Sequence, residues 1–268
     1  MNLLQQDKSE MIDKIAAMLF RAEKEAFAVD KFTDKYPELD VDLAYQIQDR
    51  LIKMKCRAEN SKLSGWKLGV TSAAKQKMVG IYEPAYGVLL DNMLLPENTP
   101  ISLAPFIHPK IEPEIAFIFE REIKGPGIST AEVLAATAYV MPALEIIDSR
   151  YRNFSFAMPD VIADNASSSR YILGGRCCKP DELDLRLIGA VFNKNGRIIS
   201  TSAGAAVMGH PARAVAWLAN KLAAVGKSIQ PGEVVLSGAL CESVPIAEGD
   251  VITASLDGLG FVSAVFIK

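Results

Sequence analysis

His108-Pro-Lys-Ile-Glu-Pro-Glu-Ile-Ala-Phe-Ile118 holds two acids, Glu112 and Glu114, spaced two apart among Ile111, Ile115 and Phe117. In a strand, residues i and i+2 leave the same face, so these carboxylates emerge together. Like charges that close, each stripped of water, repel and are costly. A hard cation removes the cost, because Mg²⁺ and Mn²⁺ favour carboxylate oxygen and keep waters that a substrate can displace. A third acid, Glu145, lies in a similar apolar run, Tyr139-Val-Met-Pro-Ala-Leu-Glu-Ile-Ile-Asp148. Glu112, Glu114 and Glu145 are therefore read as a three-carboxylate metal site. An acid pair at this spacing is more often a solvated strand face, and Pro113 disfavours a central strand. The apolar company on both sides and the second acid downstream weigh the other way.

Working outward, the 268 residues suit one large domain or a domain with an appendage, and half of them are hydrophobic, enough for a sizeable core. A net charge of −3 and the lack of a basic tract argue against nucleic acid as a partner. Apolar runs are short and broken by Gly, Pro or charge, so no membrane span is expected. The start, Met1-Asn-Leu-Leu-Gln-Gln-Asp-Lys8, lacks the features of a signal peptide. Cys56, Cys177, Cys178 and Cys241 show no C-x-x-C spacing, and free thiols in a reducing cytoplasm account for them. With only His108 and His210, neither a His-rich metal site nor a Ser-His-Asp triad is expected.

Residues 7–28 and 41–56 carry apolar residues at helical spacing, and Asp40 is placed to cap the second helix. These form an expected N-terminal helical region, 1–64, with the polar Asn60–Ser64 as its boundary. From 65 to 268 the texture is short apolar runs punctuated by Gly and Pro, which predicts strands. Nine are expected: Trp66–Val70, Tyr86–Leu90, Glu114–Phe119, Ala138–Ile147, Tyr171–Gly174, Leu187–Asn193, Val234–Ser237, Asp250–Leu256 and Phe261–Ile267. Ser129-Thr-Ala-Glu132 is a capping box, and Pro211–Val225 reads as a helix stopped by Gly226. Asn193–Gly196 and Leu256–Leu259 read as hairpin turns. The fold class is α+β. No glycine pattern for a dinucleotide follows a strand.

Lys67, in Gly65-Trp-Lys-Leu-Gly-Val-Thr-Ser72, is either a strand-end lysine reaching for water or a charge beside a metal-bound oxyanion. Thr71 and Ser72 suit a cap on a helix over Ala73–Val79 or a substrate carboxylate. Asp148 and Arg150 follow Glu145, and Asn165 and Ser167 follow in Asp164–Arg170. Arg150 is a bidentate carboxylate partner by type. His210 reads as a cap or a packed histidine.

Seven motifs in one order carry a resemblance. They are Gly65–Ser72, Pro84-Ala-Tyr-Gly87, His108–Phe117, Pro142-Ala-Leu-Glu-Ile-Ile-Asp-Ser-Arg150, Ala163-Asp-Asn-Ala-Ser167, Gly204-Ala-Ala-Val-Met-Gly-His-Pro211 and Leu236-Ser-Gly-Ala239. The chain resembles the hydratase/decarboxylase branch of the fumarylacetoacetate hydrolase superfamily. The resemblance runs from Gly65 to Phe266 and is weaker in the N-terminal helices.

It implies a mixed β-roll or sandwich core with short helices behind the helical region. It also implies Mg²⁺ or Mn²⁺ on Glu112, Glu114 and Glu145, with Lys67 as the active-site lysine. Arg150 is expected to be catalytic by organising the site. Thr71, Ser72, Asp148, Asn165 and Ser167 are expected to bind substrate. His108-Pro-Lys110, Asp148–Phe156 and Ala163–Arg170 resemble the decarboxylases of the branch, whereas Arg176-Cys-Cys-Lys179 and Leu240-Cys-Glu242 match neither activity closely.

The implied activity is metal-dependent decarboxylation of 2-oxohex-3-enedioate in meta-cleavage degradation of aromatic compounds. The alternative is hydration of 2-hydroxypenta-2,4-dienoate or a longer dicarboxylate analogue, and a third reading is a non-catalytic dicarboxylate-binding or partner subunit. Implied partners are a 2-oxo dicarboxylate, further copies of the chain and a homologous hydratase. No organic cofactor is expected, because the conjugated ketone is itself the electron sink.

Overall fold

Apolar residues three and four apart set the first two elements of the computed structural model, which describes residues 3–72 and 83–268. Helix α1 spans Leu3–Lys24 and α2 spans Val41–Glu59. Ile15, Leu19, Leu43, Ile47 and Leu51 meet in one buried cluster. Asp40 caps α2 by accepting from the Leu43 amide at 2.8 Å, and the left-handed Asn60 ends it. Helix α1 stops short of residue 28 because the chain turns at Ala26 (φ 51°) and Val29 bridges to Tyr151. The helix expected over Ala73–Val79 lies outside the described residues. Among those described, no helix is long and apolar enough to cross a membrane.

The rest alternates strands with short helices. Strand β1 is Leu63–Gly69, β2 Ala85–Leu90, β3 Leu94–Leu95, β4 Ile101–Ser102 and β5 Lys110–Phe119. Helix α3, Thr130–Ala136, leads into β6, Thr137–Ile147; α4, Met158–Ala163, leads into β7, Ser168–Leu173. Then come β8 Gly189–Lys194, β9 Arg197–Ala203, α5 Pro211–Ala224, β10 Val234–Leu236, β11 Val244–Pro245, β12 Val251–Leu256 and β13 Gly260–Ile267. The Ser129 capping box forms, and His210 caps α5, its Nδ1 accepting from the Ala212 amide at 3.1 Å.

Two sheets result. One runs β2-β1-β10-β5-β6-β7-β3 with β11 also on β5, and the other runs β4-β13-β12-β8-β9. Strands β12 and β13 lie against β6 and β7, which makes the mixed two-sheet core. Both expected hairpins form, β8–β9 through the left-handed Asn195 and Gly196, and β12–β13. Strand β9 escaped the sequence reading because its residues are mostly exposed and carry no apolar run.

Strand β5 starts at Lys110 rather than Glu114, so Pro113 sits inside a central strand. The reason is local. On that edge β10 pairs with Ala116–Ile118 and β11 with Lys110–Ile111, leaving a gap opposite Pro113. The Pro113 carbonyl accepts from the Leu240 amide of the connecting loop at 2.8 Å. Its missing N–H faces that loop and breaks no ladder bond.

Candidate active site

Register brings the three acids together. Glu112 and Glu114 share a face of β5, and Glu145 on β6 stands directly opposite Glu112. One oxygen or another of each lies within 4.8 Å of the rest, and all three residues are buried. Strand β1 adds Lys67, which is 2% exposed. Its Nζ lies 3.1 Å from Glu145 Oε2 and donates to the Ala166 carbonyl at 3.0 Å. Glu114 Oε2 accepts from the Gly238 amide at 2.6 Å.

Burial, together with Glu145 and Glu112, pushes the Glu114 carboxyl well above its usual range. Burial raises Glu145 to about 7, with Glu112 adding and Lys67 opposing. Glu114 Oε1 and Glu145 Oε1 accept no hydrogen bond among the described residues. Buried carboxylate oxygens in that state need a proton or a cation. A hard divalent ion fits this all-oxygen donor set.

Above the acids opens a cavity of about 480 Å³, with Lys67, Glu112, Lys110, Phe154, Phe156 and Ser167 on its wall. Ser167 Oγ is buried and has no partner among the described residues. The other expected substrate residues are placed differently. Asp148 accepts from the Ile107 and His108 amides at 2.9 and 2.8 Å, which anchors the approach to β5. Asn165 closes two bonds with Val88, from its amide at 2.7 Å and to its carbonyl at 2.9 Å. Neither lines the cavity, because backbone groups that would otherwise be orphaned take up their side chains. Thr71 is buried against Gly238, where an added Cβ would lie 2.3 Å from Thr71 Oγ1. Gly238 also has φ +111°, so the amide that meets Glu114 requires glycine. Ser72 is half-buried at the edge of the described chain.

Arg150 is 1% exposed and sits below the wall. Its guanidinium pairs with Asp164 and donates to the Asp164, Asp148 and Ser168 carbonyls. Burial works against its charge, but Asp164, Glu23 and Asp148 more than offset that and raise its pKa. These bonds hold Asn165, Ala166 and Ser167, three consecutive left-handed residues at φ 52°, 51° and 56°. Left-handed backbone costs a non-glycine residue about 1–2 kcal/mol, so the surrounding bonds must impose it. The turn aims the Ala166 carbonyl at Lys67 and Ser167 into the cavity.

Sequence reasoning missed Lys110, Phe154 and the Ala166 carbonyl. Lys110 had a usable signal, since it stands two before Glu112 and shares its face. The His108 ring packs against Phe154 at a 50° tilt with ring centroids 4.8 Å apart, and its Nε2 has no partner among the described residues.

The chain is similar to known proteins along most of its length. The family profile described as fumarylacetoacetate (FAA) hydrolase C-terminal matches residues 56–267. The 4-oxalocrotonate decarboxylase of Pseudomonas sp. (strain CF600) is 43% identical over 94% of this chain and 96% of its own. The 2-oxo-hept-4-ene-1,7-dioate hydratase of Escherichia coli is 40% identical over 94% and 97%. Among solved structures, 4-oxalocrotonate decarboxylase from Pseudomonas putida G7, complexed with magnesium and adipate, superposes with a TM-score of 0.93. It is 42% identical, covering 97% of this chain and 98% of that one.

Proposed function

The chain belongs to the fumarylacetoacetate hydrolase family, and from that premise we propose that it decarboxylates 2-oxohex-3-enedioate (4-oxalocrotonate). The products are 2-hydroxypenta-2,4-dienoate and CO₂, with Mg²⁺ or Mn²⁺ as cofactor. The observation that carries this reading is the buried trio Glu112, Glu114 and Glu145 beside Lys67 under a cavity large enough for a small diacid. The three acids would hold the ion, which supplies Lewis-acid stabilisation at the C1 carboxylate and C2 oxygen of a 2-oxo acid.

In the reaction the C5–C6 bond breaks and C6 leaves as CO₂. The released pair forms the C4–C5 double bond, the C3–C4 pair moves to C2–C3, and the C2 oxygen gains the charge, which a proton from solvent neutralises as the product leaves. Lys67 stabilises that oxygen with its ammonium, held in place by Glu145 and the Ala166 carbonyl. Ser167 offers a hydroxyl donor to a substrate oxygen. Phe154 and Phe156 exclude water, which strengthens every charge interaction inside. Arg150, Asp148 and Asn165 act as positioning residues that fix the frame on which Lys67 and Ser167 depend.

The 40% identity to the Escherichia coli hydratase favours a second reading, water addition to 2-hydroxypenta-2,4-dienoate or a longer analogue. One assay separates them. With Mg²⁺, CO₂ is expected from 2-oxohex-3-enedioate while the dienoate stays unchanged. Consumption of the dienoate without CO₂ release makes the chain a hydratase, and inertness toward both leaves a binding subunit.

The proposal extends to a cytoplasmic, homo-oligomeric enzyme that associates with a homologous hydratase. The free thiols of Cys56, Cys177 and Cys178 support the compartment. Exposed Leu187, Ile198, Phe261 and Ile267 support self-association, and light scattering of the chain alone and mixed with the hydratase tests it.

A further inference from the structure

The cavity carries a second cation that the acid trio does not use. Lys110 stands two residues before Glu112 on the same face of β5, roughly 7 Å along the strand at about 3.4 Å per residue. Among the described residues no carboxylate pairs with it. Its Nζ instead lies 4.0 Å from the centroid of the Phe154 ring, and both residues line the cavity. Phe154 is held there at φ 53°, next to Asn153 at φ 57°. A left-handed backbone is a genuine outlier for a bulky aromatic, and strain of this kind collects at ligand sites.

We propose that Lys110, seated on Phe154, receives the second carboxylate of the substrate and sets the preference for a dicarboxylate. This rests on the 2-oxo acid reading, in which C1 and C2 lie over the acid trio. In an extended six-carbon diacid, C6 lies four carbon–carbon bonds from C2, a span of about 5 Å at about 1.5 Å per bond. With a contact at each end, that span matches the roughly 7 Å that separates Lys110 from Glu112 along β5.

The seat also suits the chemistry. C6 must leave as neutral CO₂, so a grip that stabilises its anionic ground state slows the step. A lysine is a single point charge rather than a bidentate fork, and this one shares its charge with a ring face. Lys110 therefore recruits the carboxylate and lets it go, acting on KM more than on kcat.

The test uses two unreactive probes that differ only at C6, 2-oxohexanedioate and 2-oxohexanoate, titrated calorimetrically into the Mg²⁺-loaded full chain. Wild type is expected to bind the diacid about tenfold or more tighter, the worth of one charge-assisted hydrogen bond. Lys110→Met should bring the two within about threefold of each other by weakening the diacid alone. Lys110→Arg should keep the preference but lower kcat for CO₂ release. An unchanged diacid preference in Lys110→Met, with an unchanged melting temperature, overturns the assignment. Wild type that binds neither probe overturns the 2-oxo acid reading itself, whereas binding of both with equal affinity overturns only the role of Lys110.

Discussion

At the scale of single residues, Lys67 stands against three acids, and its sign decides what it contributes. Its ammonium opposes the loss of hydration and the mutual repulsion that raise Glu145 and Glu114, so it favours their charged forms. It also opposes a divalent ion at the same oxygens. Removing it therefore separates metal binding from turnover. Lys67→Met is expected to retain or tighten Mg²⁺ affinity, measured by calorimetry, while kcat drops about 100-fold, the usual loss for one donor aimed at developing charge. A Mg²⁺ dissociation constant weakened more than about tenfold would show that Lys67 builds the metal site rather than serving the reaction. Lys110, two positions along from Glu112, faces no such competition among the described residues and is free to act on the far end of a ligand.

At the scale of elements, the turn at Asn165–Ser167 joins β2 to the site. Its side-chain bonds to Val88 set its distance from β2, and Gly87 lets the two backbones approach. A Cβ on Gly87 would lie 2.6 Å from the Asn165 carbonyl and 3.1 Å from Lys67 Cδ. Gly87→Ala is therefore expected to push the turn outward. The cost is about 1–3 kcal/mol of stability, typical of overpacking, read from urea unfolding. Turnover should fall further than stability alone explains, because the Ala166 carbonyl that holds Lys67 moves with the turn. Wild-type turnover in Gly87→Ala would mean that the turn does not position the lysine. The same dependence of one element on another appears in Arg150, which fixes the turn from beneath through five hydrogen bonds to groups of Asp148, Asp164 and Ser168.

For the molecule as a whole, the N-terminal helices brace the wall of the site. Tyr151, Ile162 and Ala163 share a buried cluster with Ile15, Leu19, Ile47 and Leu51. Gln48 of α2 donates to the Tyr86 and Ile162 carbonyls at 2.9 and 3.0 Å. Val29 exchanges backbone bonds with Arg150 and Arg152 at 2.8 and 2.9 Å. Between the two helices Glu23 meets the buried Lys55 at 2.6 Å. Burial would raise the Glu23 carboxyl, but Lys55 and then Arg150 outweigh it and hold it at about 2, below its usual 4.5. A depressed acid stabilises the fold above its unfolded value and loses that contribution as pH falls toward the folded one. Stability is therefore expected to drop between about pH 4.5 and about pH 2, and Glu23→Gln should flatten that slope in urea midpoints. An unaltered slope in the variant would assign the acid sensitivity to other carboxylates.

Short-range geometry is legible in the order of residues alone. The parity of a strand put Glu112 and Glu114 on one face, helical spacing marked α1 and α2, Asp40 marked the start of α2, and Pro211 and Gly226 bounded α5. Glu145 and Lys67 were legible because charged residues inside apolar runs need a partner. Folding in three dimensions was needed to set Glu145 opposite Glu112, to leave Pro113 at a gap between β10 and β11, and to turn the Asp148 and Asn165 side chains onto backbone groups. It also set Lys110 on Phe154 and the Ala166 carbonyl on Lys67. A residue's own type states which partners it requires, but strand register and loop closure decide which distant groups arrive to meet that requirement.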